Sequence, residues 1–190
     1  MTGSSGRFKG KYDFFTIYFI PGITVLMASH DSFTDTNLSV LGNTAGNQAL
    51  FTLWGFTTGT YYCMYSFYLF NIGRYRNKAV KSIICTAAAF LFTAVIIPYM
   101  PEQYPFKSRL HVLLAFFSPI LFTSGMIVFL RFLSNKNRPR FRRAWEIMWI
   151  LTACACLLFI RAGFITSLLE LFTVIGLCGY LRYMERLLIS

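Results

Sequence analysis

Glu170 stands inside a long apolar run, and His111 opens another. An ionisable side chain at membrane depth is costly and tends to mark a working site. His30, the other of the two histidines, closes the first apolar run. Asp31, Asp35, Ser39 and Asn43 follow it in a long polar connection, while Glu102, Arg109 and Arg161 fall in or beside the later connections on the same side. These types could do several kinds of chemistry. Glu170 or His111 could move a proton. Ser39 with His111 as its base could attack a carbonyl or phosphoryl centre. His30 and His111 with Asp35 or Glu102 would supply the three ligands of a catalytic zinc, but no H-x-x-x-H or H-E-x-x-H spacing sets such a geometry. The reading is a pocket of His30, Asp35, Ser39, Asn43, Glu102, Arg109, His111, Arg161 and Glu170 that holds a small molecule or lipid headgroup, with no metal and no cofactor. Within it, Glu170 is expected to pair with Arg161 across the last helical hairpin.

The elements that must position these residues are membrane helices. Of 190 residues, 56% are hydrophobic and 13% charged, against about 25% charged in a soluble domain. A short chain cannot bury that much apolar surface in a water-facing core. Runs of about 20 apolar residues suit membrane helices, and six qualify, roughly 12–29, 48–72, 82–100, 110–133, 144–161 and 164–182. Their continuity argues against the short alternating strands of a barrel. The fold class is all-α, a single six-helix transmembrane domain over 12–186, with tails at 1–11 and 187–190. Basic Arg7, Lys9 and Lys11 before an apolar run ending Met27-Ala28-Ser29 have the outline of a signal peptide; the expectation is that this segment is retained as the first span.

Fifteen of the 18 Lys and Arg residues fall on one side of this six-span layout and only Lys107, Arg109 and Arg161 on the other. The basic side is cytoplasmic, so both termini are placed inside, in a plasma membrane. That asymmetry accounts for the net charge of +11 without nucleic acid. The run Lys136, Arg138, Arg140, Arg142 and Arg143 is dense enough to hold anionic headgroups, with Trp145, Trp149 and Tyr183 as interfacial anchors. The five cysteines, Cys63, Cys85, Cys154, Cys156 and Cys178, lie in apolar stretches with no paired spacing and read as packing residues. Pro21-Gly22 and Pro119 are expected to kink their spans. Gly55 and Gly59, four apart, allow close helix approach, chiefly within the chain and alternatively in a homo-oligomer.

Leu38-Ser39-Val40-Leu41-Gly42-Asn43 resembles the S-x-L-G signature of the bacterial and archaeal six-helix family called domain of unknown function 998. The proline-bearing stretch from Pro98 into Leu110-His111 also resembles that family, and Glu170 resembles an acidic position in its last span. The family is similar in layout to eukaryotic DRAM-type membrane proteins linked to lipid handling. The resemblance implies fold and topology, and no activity. The function expected is binding or transport of a small molecule or lipid, with an intramembrane lipid-modifying enzyme and a structural or regulatory subunit as the alternatives.

Overall fold

A computed structural model describes residues 10–29, 32–43 and 46–190. Every regular element among the described residues is helical. A π-helical stretch Phe15–Phe19 leads into α1 (Ile20–Ala28), followed by α2 (Leu38–Asn43), α3 (Gln48–Ile72), α4 (Lys78–Ile96), α5 (Pro105–Lys136), α6 (Arg138–Ala162) and α7 (Ser167–Ile189). Four of these, α4 to α7, are long and apolar enough to cross a membrane. α3 has the length, with 25 residues, but its threonines and tyrosines dilute its hydropathy. The first apolar helix, Phe15–Ala28, extends only about 21 Å at 1.5 Å per residue, less than the roughly 30 Å of a hydrocarbon core. So the six expected spans resolve into four clear ones, a polar-flecked α3 and a short first helix, with α2 as an added seventh element.

Local chemistry explains the ends. The Asn77, Asn137 and Thr166 side chains accept from Val80, Arg140 and Leu169 backbone N–H groups, each at 3.2 Å, and so cap α4, α6 and α7. The expected tight turn after Arg161 forms at Gly163, whose φ of +76° suits a residue without a side chain. Pro21 lies at the start of α1, just past the widened turns of Phe15–Phe19. A missing proline N–H is commonly absorbed by such a widening. Pro119 sits inside α5 and removes the donor that the Ala115 carbonyl would otherwise meet.

Six helices, α1 and α3 to α7, close a ring. α1 packs on α3, α3 on α4, α4 on α5, α5 on α6, α6 on α7, and α7 returns to α1, while α3 also crosses to α7. Gly55 and Gly59 serve this packing: a Cβ on Gly55 would stand 2.4 Å from Val95 Cγ1, and one on Gly59 2.5 Å from Phe92 Cε1. The close approach they permit is thus made to α4 within the chain, and self-association through them would have to displace α4. α6 buries only Phe141, Ala144 and Met148 and leaves Trp149, Ile150, Leu157 and Ile160 exposed, as expected of a helix covered by lipid.

Candidate functional site

The ring encloses a cavity of about 570 Å³ bounded by α3, α4, α5, α6 and α7. Its walls are almost wholly apolar. Trp54 and Tyr62 come from α3, Ala88 and Leu91 from α4, Phe116 and Pro119 from α5, Leu151 and Phe159 from α6. Few polar groups reach it. The Tyr62 hydroxyl is already committed to the Val174 carbonyl (2.7 Å), and Ser118 to the Ala87 carbonyl (2.9 Å). Two polar groups stand out. Thr58 lines the cavity, with its hydroxyl buried in the wall and without a hydrogen-bond partner. Glu170 lines it as well.

Glu170 also organises the loop end of the bundle. Its Oε2 accepts the Leu38 N–H at 2.8 Å, so the carboxylate sits at the start of α2. Three further bonds hold the preceding chain on the start of α7: Ser167 N–H and Oγ–H donate to the Thr36 carbonyl, at 2.8 and 3.1 Å, and Leu168 N–H to the Phe33 carbonyl at 2.9 Å. α2 is clasped from the other side by His111, which is 1% exposed. His111 Nδ1 lies 2.9 Å from the Ile97 carbonyl and Nε2 2.7 Å from Ser39 Oγ. A carbonyl can only accept, so Nδ1 carries the proton. The Nε2 of the neutral ring then accepts from the Ser39 hydroxyl. Gly42 completes the contact: any Cβ there would meet the Phe51 ring at 2.3 Å.

The residues expected to form one polar pocket therefore separate. Ser39, His111 and Glu170 do converge around α2, and Asn43 joins them by donating to the Ser39 carbonyl at 2.7 Å. Only Glu170 of the set faces the cavity. Asp35 is exposed and accepts from Ser32 (2.7 Å) and Thr34 (3.2 Å) in its own turn. Glu102, Arg109 and Arg161 are exposed. The expected Glu170–Arg161 pair is not made: the carboxylate turns inward to Leu38, and Arg161 stands at the exposed end of α6. His30 and Asp31 lie outside the described residues. No group of three or more His, Cys, Asp or Glu residues suited to a metal occurs among the described residues.

At the basic end the expected lipid-facing cations are all exposed, but some are engaged. Arg140 donates to the Leu187 carbonyl and, at 2.9 Å, to Ser190 Oγ. Arg142 pairs with Glu146 at 3.1 Å, and Lys136 lies 4.2 Å over the Phe132 ring. The same end holds a cluster the sequence reading missed. Glu185 is 3% exposed and accepts from the Tyr65 hydroxyl, from Tyr68 at 3.4 Å and from the Gly10 N–H at 3.4 Å. Tyr12 stacks on Tyr65 at 4.5 Å. Thr16 and Tyr61 hydroxyls meet at 2.8 Å, and Arg182 pairs with Asp13 at 3.0 Å. One signal was available: fifteen residues at about 100° each bring Glu185 within roughly 60° of Glu170 on the helix. That places it on the inward stripe with Val174, Cys178 and Leu181.

The family model described as "Protein of unknown function (DUF998)" matches residues 14–184. No curated protein and no solved structure matches.

Proposed function

The chain belongs to the DUF998 family of proteins of unknown function, and from that membership and the geometry above we propose a six-crossing protein of the cell membrane that binds one apolar molecule bearing a hydrogen-bond-donating group. The basic end faces the cytoplasm in this reading, with both termini there, because Lys and Arg collect on that side. The observation that carries it is the cavity. At about 570 Å³ it falls within the roughly 300–1,000 Å³ of ordinary ligand sites, which are mostly apolar with few polar groups. The polar groups in its wall favour a donor. Glu170 offers a carboxylate, and Ala115, relieved of its helical donor by Pro119, offers a carbonyl. A long-chain alcohol or amine has the matching chemistry.

The test is mass analysis of what the purified protein retains. An apolar alcohol or amine should leave with the parent protein, and Ala88→Phe, which fills the cavity, should remove it while the protein stays folded. Glu170→Gln should weaken retention about tenfold, the change expected from losing one charge-assisted hydrogen bond. An empty parent protein, or equal retention by Ala88→Phe, overturns the reading.

A second reading, a lipid-modifying enzyme, has one observation in its favour: the Ser39 hydroxyl points its proton at His111, the arrangement of an activated nucleophile. Neither residue lines the cavity, so a substrate would require α2 to lift. Covalent labelling by a fluorophosphonate, lost in Ser39→Ala, would support it; an unlabelled protein would end it.

A further inference from the structure

The cavity has a side window. Ile120 and Ser124 on α5, and Cys156 and Ile160 on α6, line the cavity and are at the same time exposed. Ile120 is 43% and Ile160 73% exposed. Each pair is four residues apart, so each forms one turn of a helix edge, and the two edges face one another across the α5–α6 seam. Toward the basic end the seam is closed, where the Trp145 indole donates to Ser134 Oγ at 2.8 Å. Phe116 and Phe159, 5.4 Å apart, stand in the wall beside the opening. Both α5 and α6 are helices long and apolar enough to cross a membrane, so the medium outside the window is lipid rather than water.

We infer that the cavity is loaded sideways from the bilayer, through the gap between α5 and α6, by a single-chain amphiphile already dissolved in the membrane. The inference rests on the binding reading above and adds the route and the source. The apolar edges of the window pass a hydrocarbon chain without a desolvation barrier, whereas a charged, water-soluble solute would have to shed its hydration to cross them.

Trp54 is a built-in reporter, since it lines the cavity and is 4% exposed. The experiment uses the full chain carrying Trp149→Phe in phosphatidylcholine nanodiscs, with bromododecanol as the quenching probe and the same protein with Trp54→Phe giving the Trp145 background to subtract. Quenching of Trp54 should occur in this parent and be absent with Ala88→Phe. A second protein retains Cys156 and has the other four cysteines replaced by serine. Attaching a bulky methanethiosulfonate to Cys156 should slow the onset of quenching about tenfold or more, and dithiothreitol should restore the rate. Ser124→Phe should slow it independently. If bromododecanol never quenches Trp54, or quenches Ala88→Phe equally, the binding reading itself fails. If quenching occurs in the cavity but its rate ignores both the Cys156 adduct and Ser124→Phe, the lateral route is overturned and the binding reading survives.

Discussion

Each end of the bundle buries a carboxylate on α7, and the two are used differently. At the basic end Glu185 is surrounded by donors, two tyrosine hydroxyls and a backbone N–H, and the cavity between α3 and α7 does not reach it. At the loop end Glu170 receives the Leu38 N–H and also lines an open cavity. A buried charge is tolerated when hydrogen bonds replace its hydration. Glu185 meets that condition with protein alone, which makes it a structural fastener. Glu170 meets it in part and also borders the cavity. The contrast teaches that burial by itself does not mark a site; burial beside a cavity does.

The largest test of that contrast is Glu185→Ala. It leaves the Tyr65 hydroxyl without its acceptor and releases the Gly10 N–H, for an expected loss of about 2–5 kcal/mol. Denaturation in mixed micelles would measure it, and a change as small as that of Glu170→Gln would erase the distinction between the two ends. Gly42→Leu should cost about 1–3 kcal/mol by overpacking, since the new Cβ meets Phe51. Its unfolding midpoint should fall while the tyrosine cluster keeps its near-ultraviolet dichroism. His111→Ala comes next. It leaves the Ile97 carbonyl and the Ser39 hydroxyl to find new partners at about 1–2 kcal/mol, and proteolysis in the 32–43 segment should rise. Glu170→Gln should cost less than about 1 kcal/mol, because the amide oxygen can still accept from Leu38, yet ligand retention should drop. Arg142→Ala is the baseline. Its ion pair with Glu146 is exposed at 81% and 54%, worth about 0.5 kcal/mol at most, and a larger effect would signal a role for the cation in lipid contact.

The long helices were legible because their apolar runs are long and bounded by charge or proline. The 48–72 expectation coincides with α3, Gln48–Ile72. The expected spans at 144–161 and 164–182 are shorter than α6 and α7, because hydropathy marks the part of a helix in hydrocarbon. The Arg138–Arg143 turns and the residues past Arg182 continue the helices beyond those apolar runs. α2 was not legible. A helix of six residues lacks the length to be stable alone, and it exists here through Phe51 on the next helix and through Glu170 and His111, both distant in sequence. Glu185 was hidden by its neighbours Arg182 and Arg186, which make the segment read as a solvated interface. Its burial depends on the stripe of Tyr61, Tyr65 and Tyr68 on another helix. The cavity could not be read at all, since it depends on how side chains of five helices fail to fill a shared volume.

The stitches to α7 have a consequence for biosynthesis. Leu38 meets Glu170, Thr36 meets Ser167, Gly10 meets Glu185 and Asp13 meets Arg182, so early segments wait for a helix made much later. Until α7 leaves the ribosome, the carboxylate that caps α2 and the one that gathers the tyrosines do not yet exist. Nascent chains stalled before residue 167 should therefore insert their earlier helices while both ends of the bundle stay open to protease. Closure of this bundle then turns on one late event, the docking of α7, which shuts the two ends together.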